Sequence, residues 1–207
     1  MEILKTIKFN ASLICLMIIS MNIISQDAVY NAFKQSYTYE KSGDFKKAVE
    51  ELKKVYDETS YEINLRLGWL NYQAGVFTES VAHYQKAVNL MPYSEEAKFG
   101  LILPKAAVGK WDEVIAIYQK ILSNSPNNTV ACYRLGLIYY GKKDYDQAYK
   151  YFEKVVNLYP FDYDGLIMYA WTNFQMGKTR EAKVLFNKAL LYAPDDKSAA
   201  EGLKLIK

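Results

Sequence analysis

Residues that bind metals or form disulfides are scarce in this chain of 207 residues, which has two cysteines and one histidine. Cys15 lies in an apolar run near the N-terminus, so a chain processed after that run would keep Cys132 alone and could form no intramolecular disulfide. His83 has no cysteine or histidine near it at metal-ligand spacing. We therefore expect no metal and no cofactor, and we interpret Cys132 as a small core residue and His83 as a surface or packing residue.

A strong charge of one sign is also lacking. The net charge is +3, and no run of lysine or arginine forms the basic surface that attracts nucleic acids or anionic membranes. Serines, aspartates and glutamates are scattered without an arrangement of nucleophile and base. Gly177-Lys178-Thr179 resembles the end of a phosphate-binding loop, but Thr172 stands where that loop requires a glycine. We therefore predict a protein that is not an enzyme and binds no nucleic acid.

The N-terminal segment has the pattern of a secretory signal peptide. Lys5 and Lys8 precede an apolar stretch over residues 9–24. This stretch is shorter than the ~20 residues that a membrane span needs. We therefore predict a signal peptide over residues 1–25, with cleavage after Ser25, and an exported protein that is periplasmic or associated with a bacterial cell envelope. The alternative is an uncleaved segment that holds the chain at a membrane.

The rest of the chain repeats at a fixed interval, which four of its five prolines and a set of aromatic residues share. The prolines are Pro92, Pro126, Pro160 and Pro194, and the aromatic residues are Tyr84, Tyr118, Phe152 and Phe186. Apolar residues recur with helical spacing on both sides of a central turn, and small residues such as Gly68 and Gly136 stand where two helices would approach most closely. We therefore predict five repeats of two helices, over residues 29–60, 61–94, 95–128, 129–162 and 163–196, followed by a capping helix over 197–207.

The fourth repeat carries the signature of a known family. The residues at its defining positions are Leu135, Gly136, Tyr139, Ala148, Phe152 and Pro160. The chain thereby resembles the tetratricopeptide repeat family. The resemblance implies an all-α fold, a right-handed α-solenoid of helix-turn-helix repeats that serves as a noncatalytic scaffold for other proteins. The third repeat departs from the pattern, because it has Pro104 inside its first helix, where proline removes a backbone hydrogen bond.

The resemblance also implies which residues line a concave groove, namely those at five places of each first helix. Within this set we predict that the partner-binding residues are Tyr30, Phe33, Tyr37, Leu65, Trp69, Tyr72, Phe99, Leu103, Tyr133, Leu137, Tyr140, Ile167, Trp171 and Phe174. Aromatic side chains dominate protein interfaces, although about half of these rings are expected to pack between neighbouring helices instead. Direct contact is expected above all from Trp69, Tyr72, Tyr140 and Trp171.

Most charged residues of the same set are acidic. They are Glu40, Glu62, Glu96 and Asp164, against the single cation Lys41. Relatives that bind the carboxyl terminus of a chaperone use lysine, arginine and asparagine at these places, because a carboxylate needs cationic donors. We therefore predict that the groove binds an extended or helical segment of another protein. This segment is expected to be apolar, and the acidic groove also allows basic residues in it. Two alternatives are a self-associating structural protein of the envelope, hence a homo-oligomer, and the soluble part of a membrane-anchored assembly subunit.

Overall fold

A computed structural model describes residues 26–206, which form eleven α-helices and no β-strand. The helices are α1 (26–41), α2 (Phe45–Lys53), α3 (Tyr61–Gln73), α4 (Phe77–Leu90), α5 (Glu95–Ala107), α6 (Trp111–Asn124), α7 (Thr129–Gly141), α8 (Tyr145–Leu158), α9 (Tyr163–Gln175), α10 (Thr179–Tyr192) and α11 (Lys197–Leu205). The predicted all-α fold of helix-turn-helix repeats is confirmed. The predicted signal peptide lies outside the described residues. In the part of the chain that is described, no helix is long and apolar enough to cross a membrane.

Each predicted repeat contains two helices, and local sequence signals determine where they end and begin. Four of the turns within repeats place a glycine in the left-handed region, where a side chain would be strained, namely Gly43, Gly75, Gly109 and Gly177. Polar residues before many of the helices accept a hydrogen bond from the backbone N–H three residues ahead, which satisfies a group that otherwise has no helical partner. These caps are Asp44, Ser60, Ser94, Asn128, Asp144, Asp162 and Asp196.

The chain divides into two compact units between Gly109 and Lys110. In the N-terminal unit, α3 packs against α2, α4 and α5, and the fully buried Leu52, Leu67 and Leu70 form the centre of the core. In the C-terminal unit, α8 packs against α7 and α9, and α10 against α9 and α11. The hydrophobic core near the C-terminal end of this unit surrounds Phe186, which is fully buried. The helix predicted as a cap, α11, therefore covers the side of α10 and contributes Ala199 to this core.

Aromatic residues of the second helices pack directly against glycines of the first helices. The ring of Tyr84 on α4 lies against both Gly68 of α3 and Gly100 of α5. A β-carbon added at these two glycines would lie only 2.7 Å and 2.1 Å from ring carbons. In the C-terminal unit Phe152 lies in the same way against Gly136, at 2.6 Å. Since atoms in a protein core are already close-packed, these glycines are what allow the helices to approach so closely.

Pro104 does not end its helix, although proline lacks the N–H that an interior position donates. The helix α5 continues to Ala107, and the backbone N–H of Val108 donates to the Pro104 carbonyl at 3.2 Å. The carbonyl that loses its usual donor is that of Gly100, one turn earlier. The departure of the third repeat from the family pattern is therefore accommodated within a continuous helix.

Candidate functional site, an aromatic cleft of the N-terminal unit

A cleft of about 500 Å³ opens in the N-terminal unit. Its lining comes mainly from α1, α3 and the start of α5, the first helices of their repeats, which the sequence predicted to face a groove. Five of its nine lining side chains are aromatic. The nine residues are Phe33, Tyr37, Tyr61, Glu62, Leu65, Arg66, Trp69, Tyr84 and Glu96. A concave, largely aromatic surface with a few charged groups is typical of a binding site.

Two lining residues of this cleft, Arg66 and Trp69, are held in place by Glu40, which lies outside the lining. The Arg66 guanidinium donates to Glu40 Oε2 at 2.6 Å, and Trp69 Nε1 donates to Glu40 Oε1, also at 2.6 Å. Arg66 Nε donates in addition to Ser36 Oγ at 3.3 Å, and the Tyr37 ring covers the guanidinium, 3.8 Å from the ring centre. Arg66 is only 8% exposed. Its charge is therefore compensated within the chain, where it holds α1 against α3.

The Glu40 carboxyl stays ionised in this arrangement. Partial burial by itself raises its pKa, but hydrogen bonds from Arg66 and Trp69, together with the charge of Arg66, lower it more. The net pKa is below the ordinary value of 4.5. Glu40 therefore neutralises Arg66 at physiological pH.

Two further carboxylates lie at the rim of the cleft. Glu62 and Glu96 are exposed near the beginnings of α3 and α5. Ser60 Oγ donates to Glu62 at 3.2 Å, and the Tyr61 hydroxyl donates to Glu96 at 3.3 Å. Neither carboxylate forms an ion pair with another residue between 26 and 206. Burial raises the pKa of the Tyr61 phenol, and the charges of Glu96 and Glu62 raise it further. The rim of the cleft is therefore negative.

Some of the predicted partner-binding residues of this unit line the cleft, and the others lie outside its lining. Those that line the cleft are Phe33, Tyr37, Leu65 and Trp69. Tyr30 is 66% exposed on α1 but is not part of the lining. The half-buried members outside the lining are Tyr72, Phe99 and Leu103. The Tyr72 ring lies beside Trp69 and Phe77, with ring centres 6.1 Å and 5.9 Å away, so it supports the wall that Trp69 presents.

The predicted residues of the C-terminal unit contribute largely to the packing of that unit. Trp171 Nε1 donates to Ser198 Oγ at 2.8 Å, and its ring lies 5.0 Å from that of Phe186. Ile167 is 8% exposed and packs in the core of this unit. Trp171 is half-buried, and so are Tyr133, Leu137, Tyr140 and Phe174. A binding role for all six predicted residues of this unit stays a prediction.

Three lining residues lie outside the predicted groove positions, namely Tyr61, Arg66 and Tyr84. Tyr84 was interpreted only as a hairpin core residue, and it does fill that role against its two glycines. Arg66 had a recognisable signal, because it is a lone cation within the apolar helix α3. A buried arginine needs an ionic partner, and Glu40, on the helix of the preceding repeat, supplies it.

His83 and Cys132 both pack against neighbouring residues of the fold. His83 Nδ1 lies 3.1 Å from Asn64 Oδ1, and its ring packs edge-on against Tyr56 at 5.7 Å. Burial lowers the pKa of His83. Cys132 is fully buried, and burial raises the pKa of its thiol. Residues 26–206 contain no group of three or more metal-binding side chains.

Solved structures share the fold of this chain. A tetratricopeptide repeat protein from Parabacteroides merdae superimposes with a TM-score of 0.74 at 20% identity, covering 87% of this chain and 72% of that protein. The MamA protein superimposes with a TM-score of 0.70 at 24% identity, covering 81% of this chain and 92% of its own. At these identities the likeness shows the fold alone.

Sequence comparison gives the family. The human protein O-mannosyl-transferase TMTC1 is 31% identical over 102 residues, which are 49% of this chain but only 12% of the transferase, so its activity does not carry over. Family models described as tetratricopeptide repeat match residues 33–95, 105–162 and 139–205. The matched residues lie in both compact units and cover most of the helices. The chain therefore belongs to the tetratricopeptide repeat family.

Proposed function

We propose that this chain is a noncatalytic scaffold whose aromatic cleft binds an apolar segment of another protein. Tetratricopeptide repeats form a scaffold for protein–protein interaction, which supports the general role. The observation that carries the specific proposal is the cleft itself, since it joins aromatic side chains from several helices in one concave surface. Its wall is preorganised by the contacts of Glu40 with Arg66 and Trp69, so a partner need not order it.

The partly exposed apolar side chains of the cleft supply the binding free energy in this proposal. Tyr37 is 49% exposed, and Leu65 and Trp69 are half-buried, so each has apolar surface left to cover. Burying a fully exposed side chain of this size is worth about 1.5–3 kcal/mol, so each of these partly exposed side chains contributes a fraction of that value, and tyrosine and tryptophan dominate the energetics of interfaces. A partner segment with two or three aromatic or aliphatic side chains would therefore bind measurably.

A random-peptide display selection tests this proposal. The purified protein is expected to enrich peptides with aromatic and aliphatic residues, whereas a Tyr37→Ala/Leu65→Ala variant is expected to lose the enrichment. Both substituted side chains have exposed surface, so the variant should keep the helical circular dichroism of the parent. Tyr93→Ala is the matched control, because Tyr93 is 83% exposed in the same unit and lies outside the lining. Equal enrichment by parent and double variant would contradict the proposal, as would enrichment of no peptide.

We further propose that the protein acts in the assembly of a bacterial cell envelope, after export. The support is the sequence pattern of residues 1–25, two lysines followed by an apolar stretch. The mass of the mature protein purified from its native host tests this: loss of the first 25 residues is expected, and an intact N-terminus would favour the membrane-anchored alternative. Sedimentation of the same sample addresses self-association, which would appear as a mass that rises with protein concentration.

A further inference from the structure

The cleft presents hydrogen-bond acceptors to a ligand. Two of its donors are engaged within the chain, because Arg66 and Trp69 both donate to Glu40. The Tyr61 hydroxyl is engaged as well, since it lies 2.8 Å from Ser94 Oγ and donates to Glu96. The carboxylates at the rim still have lone pairs to offer, because a carboxylate accepts up to about four hydrogen bonds.

Tyr84 adds a hydroxyl, which can accept or donate a hydrogen bond, at the most buried point of the lining. Its side chain is 3% exposed and forms no hydrogen bond with any residue from 26 to 206. No completely buried side-chain oxygen among these residues lacks a partner. The Tyr84 hydroxyl must therefore be the part of the side chain that retains exposure, and the cleft is the surface that Tyr84 lines. A buried hydroxyl of this kind gains from a ligand that donates to it.

The charges of the cleft favour a cation. Glu40 compensates Arg66, which leaves Glu62 and Glu96 without an ionic partner in the described part of the chain. An anionic ligand would be repelled by these two carboxylates. A cationic ligand would be attracted by them and by the faces of the surrounding rings, including Tyr37 and Trp69.

We propose that the cleft receives an arginine side chain of the partner segment, an inference that rests on the proposed function. A guanidinium is planar, stacks on aromatic rings and carries five N–H donors. It therefore suits a cleft with aromatic walls, two rim carboxylates and the Tyr84 hydroxyl. Apolar residues on either side of the arginine would cover Leu65 and Phe33.

Calorimetric titration with two matched peptides tests this inference. The probes are the acetylated and amidated peptide GLFRLFG and its version with citrulline, the neutral analogue of arginine, in place of arginine. The arginine peptide is expected to bind the purified full chain about tenfold more tightly at low ionic strength, with an advantage that shrinks as salt is added. A Glu62→Gln/Glu96→Gln variant should bind both peptides equally. Glu50→Gln/Glu79→Gln is the matched control, because it removes two exposed carboxylates outside the lining and should keep the preference.

Tyr84→Phe separates ligand binding from folding. The phenylalanine ring can occupy the same space between Gly68 and Gly100, and the hydroxyl has no partner within the described chain. The variant should therefore unfold at the denaturant concentration of the parent, yet bind the arginine peptide several-fold more weakly. A lowered unfolding midpoint would contradict the assignment of the hydroxyl to the ligand.

The outcomes distinguish this inference from the proposal beneath it. Equal affinity of the parent for both peptides, with weaker binding by Tyr37→Ala/Leu65→Ala, would overturn the arginine assignment and leave the apolar cleft intact. Binding of neither peptide would overturn both. A preference for arginine that survives Glu62→Gln/Glu96→Gln would show that the cation binds elsewhere and would also overturn the assignment.

Discussion

Gly100→Ala is expected to destabilise the N-terminal unit by up to about 2 kcal/mol, although alanine is the better helix former. The new methyl carbon would lie 2.1 Å from Tyr84 Cε1, and Tyr84 is too deeply buried to move aside. Overpacking of this kind costs about 1–3 kcal/mol, against a gain of about 1 kcal/mol in helix propensity. Urea unfolding followed by far-UV circular dichroism would measure the difference.

Gly141→Ala is the matched control for this experiment. Gly141 is the last residue of α7, and an added β-carbon there would meet no atom within 4 Å. The same substitution should therefore leave stability unchanged or raise it by up to about 1 kcal/mol. If both variants behaved alike, the close approach of Tyr84 to α5 would not limit packing. Adding Tyr84→Leu to Gly100→Ala should recover part of the loss, because the smaller side chain leaves room for the methyl group.

The packing within each hairpin was predictable from the sequence, but the packing between hairpins was not. The repeat interval gave Tyr84 and Phe152 equivalent positions, and Gly68 and Gly136 were expected where two helices approach most closely; in the structure each of these glycines lies against one of the two rings. The contact of Tyr84 with Gly100 joins two successive repeats. Comparing equivalent positions relates each repeat to the family pattern, but it does not show which residues of one repeat touch the next.

A second feature could not be predicted from the repeat pattern, because two chemically different residues make equivalent hydrogen bonds in successive repeats. Asn64 is fully buried, and its Nδ2 donates to the backbone carbonyls of Glu58 and Ser60. Lys98 stands at the same place one repeat later, is 2% exposed, and donates through Nζ to the two corresponding carbonyls. Both side chains therefore donate hydrogen bonds to backbone carbonyls of the loop that precedes their helix. An amide and an ammonium group do not resemble each other in sequence, so only the geometry shows the equivalence.

The sequence predicted which helices carry the site, but not which of their side chains line it. Trp69 and Trp171 occupy the same place in their repeats, and the family resemblance treats them alike. Trp69 donates to Glu40 of the preceding repeat and lines the cleft, whereas Trp171 donates to Ser198 of the following helix and packs on Phe186. The neighbouring helix, not the position in the repeat, decides which contacts each ring makes. Because both indoles donate hydrogen bonds to neighbouring helices, Tyr37, which is 49% exposed, and Leu65 are better test positions for binding than either tryptophan.

The wall of the cleft leads to the last prediction, that Glu40→Ala destabilises the N-terminal unit by about 2–4 kcal/mol. The substitution leaves the Arg66 charge, which is 8% exposed, without its partner, and removes the acceptor of Trp69 Nε1. Breaking a buried ion pair costs about 3–5 kcal/mol, and the partial exposure of Glu40 reduces this value. Urea unfolding of Glu40→Ala, Arg66→Met and the double variant would measure it. The double variant should be more stable than Glu40→Ala alone, because a methionine needs no counter-ion.

The pH dependence of the same variants isolates the ion pair from ordinary packing. The pKa of Glu40 is lowered in the folded chain, so the unfolded state binds the proton more readily. The contribution of the pair is therefore complete above the ordinary pKa of 4.5 and is lost as the pH falls below that value through the lowered pKa. The stability difference between parent and Glu40→Ala should narrow over this acidic range, while that between parent and the exposed control Glu50→Ala stays near zero. A difference that is the same at neutral and acidic pH would mean that Glu40 acts through its methylene groups, and the preorganised wall on which binding depends would then be a matter of packing, not of charge.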